Sequence, residues 1–114
     1  MGSLDIGLVR TKDEQNELLS KATIIPDDLM KQYIGEYEEI KIGWSLKVSQ
    51  KGNQLELLYP EGDVYVYVPT SSGGHRFHAL EFKELLEFSI VKGRATGLSR
   101  IQGDVVYVYS RITD

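Results

Sequence analysis

The side chains able to do chemistry in this sequence are few. There are two histidines and no cysteine among 114 residues, which removes a thiolate nucleophile and a thiolate metal site. His75, His78 and Glu81 recur at every third position, a spacing that suggests metal ligation. On an extended strand, however, an odd offset sends His75 and His78 to opposite faces, and loop or surface histidines are the simpler reading. A serine nucleophile needs one of these histidines as its base, and no strand–turn–helix serine elbow accompanies either. Glu36, Glu38 and Glu39 surround Tyr37, and an inward pair of carboxylates there could do acid–base work. The simpler reading is the solvated face of a first strand. Gly73-Gly74 is too short for a phosphate loop, and neither G-x-G-x-x-G nor G-x-x-x-x-G-K occurs. The expectation is a chain with no catalytic centre, no metal and no cofactor of its own. An enzyme using Glu36, Glu38 or His78 would need a closed polar pocket around them.

The aromatic residues are the better candidates. Val64-Tyr65-Val66-Tyr67-Val68 and Val105-Val106-Tyr107-Val108-Tyr109 alternate valine and tyrosine at period two, which marks strands with two contrasting faces. If Tyr65, Tyr67, Tyr107 and Tyr109 point inward, they and Trp44 line a pocket for a small amphipathic ligand. If the tyrosines point outward, they form an aromatic surface for a protein partner. The plain alternative is cross-strand aromatic pairing that stabilises a sheet.

Composition narrows the classes of partner. The first 40 residues carry nine acidic and four basic side chains, so the rest of the chain is close to neutral within a net charge of -4. No stripe of Lys and Arg is present, which argues against nucleic acid or an anionic membrane surface. No apolar run reaches the length of a membrane span, and the N-terminus lacks a signal-peptide pattern. A soluble chain is expected, its compartment left open between cytoplasmic and extracytoplasmic. Met1-Gly2-Ser3 reads as a cloning scar, with the natural protein beginning earlier.

The elements that must position these residues follow from periodicity. Residues 1–25 read as a linker or N-terminal helix, with the helix at 11–22 because Thr11 and Glu14 stand at capping-box spacing. A second helical turn is expected at 26–33, where Pro26 suits a first helical position and Leu29 and Tyr33 share a face that plugs whatever follows. From residue 35 the pattern turns to period two. Ile40, Ile42, Trp44, Leu46 and Val48 fall on one greasy face, with Gly43 as a corner. Tight turns are expected at Lys51-Gly52-Asn53, Glu61-Gly62, Lys92-Gly93-Arg94 and Gln102-Gly103-Asp104, and a mobile loop at 69–75. Roughly eight strands joined this way are antiparallel neighbours. An edge as apolar as Val105–Tyr109 has to be paired, and closing the sheet on itself does so. The predicted fold is a mainly β, eight-stranded antiparallel up-and-down barrel over 26–114, with one or two short N-terminal helices; a two-sheet sandwich is the alternative.

The order of residues also resembles a known family. Leu29, Tyr33, Gly35 and Tyr37 make a Y-x-G-x-Y opening preceded by a leucine, and Val48, Gly52, Leu55 and Leu57 make a strand–turn–strand step. Pro69 and Phe77 bracket a loop; Glu87-Phe88, Gly93 and Gly97-Leu98 then lead to a closing strand with Arg111-Ile112. Over about residues 28–112 the chain resembles the lipocalin-like C-terminal domain appended to serine β-lactamase-related, penicillin-binding-protein-like hydrolases. The resemblance implies an eight-stranded barrel that hydrolyses nothing itself and shapes substrate access or oligomer contacts of a preceding hydrolase domain. The helical S-x-x-K nucleophile element and the K-T-G type element of that domain are absent, so no catalytic residue carries over. The alternative is a free-standing lipocalin-like carrier of a small hydrophobic or amphipathic ligand.

Overall fold

The computed structural model describes residues 9–70 and 75–112. Eight strands, β1 (Gly35–Glu39), β2 (Ser45–Lys51), β3 (Gln54–Leu58), β4 (Val64–Pro69), β5 (Arg76–Ala79), β6 (Leu85–Val91), β7 (Arg94–Gln102) and β8 (Val105–Arg111), form a closed antiparallel barrel in sequence order. Closure comes from β1 pairing with β8 through Tyr37↔Arg111 and Glu39↔Tyr109, so β8 presents no open edge. Two-residue turns set the register of the longest hairpin: Lys92 and Gly93 both adopt positive φ between the paired Val91 and Arg94. That is the type I′ geometry whose twist matches the flanking strands.

Alternation along the strands fills the interior. Tyr37, Leu46, Val48, Leu55, Leu57, Tyr67, Phe77, Leu86, Phe88, Leu98 and Tyr109 belong to one buried cluster, each such side chain contributing about 1.5–3 kcal/mol by leaving water. Ile40, Ile42 and Trp44 do not join it. They fall in the β1–β2 connection and are exposed. The inward side is odd-numbered on β1 (Tyr37, Glu39) and even-numbered on β2 (Leu46, Val48), so the turn changes parity and one continuous even-numbered face cannot exist. Within β7 the inward parity changes along a single strand. A register shift between Ser89 and Ile90 leaves Thr96 unpaired and moves the inward side from Ala95 to Leu98 and Arg100.

One end of the barrel is plugged. Helix α2 (Asp27–Met30) runs into a single 3-10 turn at Lys31–Tyr33. Met30 and Tyr33 enter the core, while Leu29, expected beside Tyr33, is half-exposed. The tightening to a 3-10 turn brings Met30, three residues before Tyr33, onto the inward side instead. Tyr33 stacks against Phe88 and Phe77 with ring centroids 4.6 and 5.1 Å apart. Arg111 ties the plug to the wall: its Nη2 donates to the Ile34 carbonyl at 2.6 Å and its Nη1 to the carbonyl of Gln32 and the hydroxyl of Tyr37.

Residues 9–25 run lengthwise outside β4 and β5. Helix α1 (Lys12–Ser20) begins with the expected capping box between Thr11 and Glu14. The segment is held by the Val9↔Phe82 and Ala22↔Thr70 bridges, by Arg10 Nε donating to the Ala79 carbonyl, and by Asn53, whose side chain binds both Ile25 N and Thr23 O at 2.8 Å. Val68 faces this segment and has no exposure. Of the loop expected at 69–75, Pro69 belongs to β4 and residues 71–74 lie outside the described residues. No helix among the described residues is long and apolar enough to cross a membrane.

β7 and β8 approach closely at Gly97, where an added Cβ would sit 2.6 Å from the Tyr109 carbonyl oxygen. Gly97→Ala is therefore expected to force the two strands apart and cost about 1–3 kcal/mol, measured as a lowered urea midpoint. An unchanged midpoint would mean that this contact yields without cost.

Candidate functional site

The opposite end, where the β1–β2, β3–β4, β5–β6 and β7–β8 turns gather, is polar and open. Strand register decides which way the tyrosines point. Tyr65 and Tyr67 pair with the core residues Leu57 and Leu55, and Tyr109 pairs with Leu98, so all three face inward. Tyr107, opposite Arg100, faces the same way and is 37% exposed at the mouth. Val64, Val66 and Val68 on β4 and Val106 and Val108 on β8 take the opposite, outward side. Of the two orientations open from the sequence, the inward one holds.

Beneath the mouth sits a buried carboxylate. Glu84, just before β6, is 2% exposed. Its Oε2 accepts from Arg100 Nε at 2.9 Å and from the Tyr67 hydroxyl, and its Oε1 accepts from Arg100 Nη2 at 2.9 Å and Gln102 Nε2 at 2.6 Å. Tyr67 also shares a 2.7 Å hydrogen bond with the Tyr59 hydroxyl, and Arg100 Nη1 donates to the Tyr109 hydroxyl. The guanidinium carbon of Arg100 lies 4.9 Å from the Tyr59 ring centre and 5.2 Å from that of Tyr107, the geometry of cation–π attraction. Four donors occupy the carboxylate, which matches its acceptor capacity. In this arrangement the protein's own donors occupy both oxygens of Glu84.

The electrostatics follow from burial. Desolvation, then the charge of Tyr59 and of Glu84, pushes the Tyr67 hydroxyl well above its ordinary value; desolvation and then Glu84 do the same to Tyr59. At the plugged end burial carries Tyr37 to about 12 against the opposing charge of Arg111. Desolvation of Arg100 is outweighed by its hydrogen bond to Glu84 and the charges of Tyr59 and Glu84, so the guanidinium stays ionised.

Two clefts open from the mouth, of about 220 and 240 Å³, sharing Tyr59, Glu61, Arg100 and Gln102 as a common wall. The first adds Asp63, Tyr65 and Phe82; the second adds Trp44, Tyr107 and Tyr109 among others. The fold thus brings four of the five expected residues to the mouth. Tyr67 reaches neither cleft and serves as the link between Tyr59 and Glu84.

The other expected groups are dispersed. His75 bonds the Tyr33 hydroxyl at 2.7 Å at the plugged end, and His78 bonds Thr70 Oγ1 at 3.1 Å on the outer face, its pKa lowered by burial and then by Arg10. Glu36 and Glu38 point away from the core, but Glu39 does not belong to a solvated face. It shares the inward parity of Tyr37, is buried, and its Oε1 accepts from the backbone of Lys41 and Ile42, fixing the turn that carries Trp44. Ser89 and Lys92 stand at S-x-x-K spacing, yet on β6 and its hairpin turn and not on a helix. Glu84, Arg100, Gln102 and Tyr59 are functional-looking residues that sequence reasoning missed. The available signal was parity: Glu84 precedes Leu86 by two and Arg100 follows Leu98 by two, so charges of opposite sign take inward positions just before β6 and on β7.

Two outcomes are expected. Arg100→Met leaves a buried carboxylate without its counter-ion and should cost about 3–5 kcal/mol, part of it recovered by adding Glu84→Gln; chemical denaturation of the single and double variants measures this, and additive losses would contradict it. Alkaline pH supplies the other. The folded state holds phenolic protons that the unfolded chain releases near pH 10, so stability is complete below that value and falls as pH rises towards 12 and beyond. Near-UV circular dichroism should show tertiary loss in that range, and titration of all tyrosines near pH 10 without loss of fold would refute it.

Comparison of the chain with protein-family models, curated proteins and solved structures gives no match.

Proposed function

We propose that this barrel is a non-catalytic accessory domain that works by contact, shaping substrate access to, or oligomer contacts of, a serine hydrolase domain. The reading starts from the resemblance carried by Tyr33-x-Gly35-x-Tyr37 and the residues after it. The observation that supports it most is the exposed apolar surface beside the mouth. Ile40, Ile42 and Trp44 on the β1–β2 turn adjoin Val106 and Val108 on the outer side of β8, joined through the Ile40 N to Val108 O hydrogen bond of 3.1 Å. Exposed apolar side chains gathered at one end suit a contact surface, and here the barrel interior is already filled by its own side chains.

A second reading, a carrier of a small amphipathic ligand, has its own support in the two mouth clefts and in Trp44, 54% exposed at the edge of one of them. The interior is packed, so such a ligand would be held at the mouth and not in a central cavity.

On the first reading, the gene is expected to encode a domain with a helical S-x-x-K element upstream. With that domain present, Trp44→Ser and Val108→Ser should change KM or oligomeric state several-fold while the barrel's melting curve is retained. A hydrolase indifferent to both changes overturns the reading. For the carrier, apolar probes should perturb Trp44 fluorescence in a saturable way, and a protein that takes up none of them excludes it.

A further inference from the structure

The first mouth cleft combines aromatic walls with carboxylates at its border. Its aromatic walls are Tyr59, Tyr65 and Phe82, which meet edge to face: Tyr59 and Tyr65 at 5.3 Å and 84°, Tyr65 and Phe82 at 5.1 Å and 80°. Two carboxylates border it, Glu61 and Asp63, carried on the β3–β4 turn that closes through Gly62 N to Tyr59 O and Tyr59 N to Asp63 O, both 2.9 Å. Among the described residues neither carboxylate has an ion-pair partner. The cation in the wall, Arg100, is matched by the bidentate carboxylate of Glu84, so the unbalanced charge facing the cleft is negative. The Tyr65 hydroxyl registers that field: after burial, the charges of Asp63, Glu81 and Glu61 push its pKa up.

Aromatic walls with negative charge at the rim suit one class of ligand. The face of an aromatic ring attracts a cation, and alkylated ammonium groups combine that charge with apolar surface. An anion would meet Glu61 and Asp63, and a neutral amphiphile would leave their field unused. At about 220 Å³ the cleft is smaller than those that take drug-sized molecules.

We propose that this cleft binds a small organic cation of the alkylammonium class, its methyl groups against Tyr59, Tyr65 and Phe82 and its charge towards Glu61 and Asp63. The proposal rests on the carrier reading, since it requires the mouth to hold a ligand, and it names the ligand's chemistry.

The test is a titration of the whole chain with choline, with its neutral tert-butyl analogue and with acetate, followed by NMR of the aromatic side chains. Choline is expected to saturate and to shift the Tyr65 and Phe82 resonances, the neutral analogue to bind about tenfold more weakly, and acetate to produce no saturable shift. Glu61→Gln and Asp63→Asn, both on an exposed turn, should each weaken choline about two- to fivefold, and added salt should weaken it further. Tyr65→Leu should abolish saturation while the circular dichroism spectrum is retained. Equal affinity for choline and its neutral analogue overturns the cation assignment and leaves the carrier standing. Uptake of apolar probes at Trp44 with no choline binding does the same. Binding of neither choline nor probes overturns both.

Discussion

The carboxylate of Glu84 inside an apolar barrel is tenable only because four donors converge on it, and the mouth is organised around that requirement. An isolated buried charge costs several kcal/mol or more, whereas a paired and fully hydrogen-bonded one does not impose that penalty in full. Arg100 must therefore reach in from β7, Gln102 must follow it on the same face, and Tyr67 must turn its hydroxyl towards β6. Once Arg100 is committed to Glu84, its two remaining apolar surfaces are covered by the rings of Tyr59 and Tyr107. The tyrosines that give the sequence its most distinctive pattern are in this sense the solvent of an ion pair.

The two ends of the barrel use an arginine differently. Arg111 donates to backbone carbonyls of the plug, where a helical turn ends and leaves acceptors without partners. Arg100 donates to a side-chain carboxylate and a phenol. The first arrangement seals an end; the second braces an open one. Function is to be sought at the braced end, where carboxylates, aromatic rings and exposed apolar groups meet within a few residues of the same turns.

Much of the architecture was legible in the sequence. Period-two alternation after residue 35, turn residues between the runs and an apolar final strand in need of a partner together lead to a closed antiparallel barrel. The capping box at Thr11 and Glu14 fixes α1. What sequence could not supply was parity across irregularities. A five-residue connection after Glu39 and the unpaired Thr96 each reverse which side faces in, and the first of these separates Ile40, Ile42 and Trp44 from the inward face of Leu46 and Val48. The site was partly legible for the same reason: tyrosines were recognised by type, but their direction depended on register. Glu84 and Arg100 lie 16 residues apart, and only the pairing of β6 with β7 makes them neighbours.

The segment from Val9 to Ile25 has a mechanical consequence. The chain joins the described fold at Phe82, beside the mouth, and leaves it at Ile112, whose amide bonds Glu36 at the plugged end. A load drawn across the molecule would therefore act first on this outer strap. It is fastened by isolated bridges and single side chains, which release one after another as in a zipper, while the barrel ladders behind it remain in register. The strap is thus held by far fewer contacts than any strand of the barrel, and its release would uncover β4 and β5 while leaving the ladder around the ion pair in register.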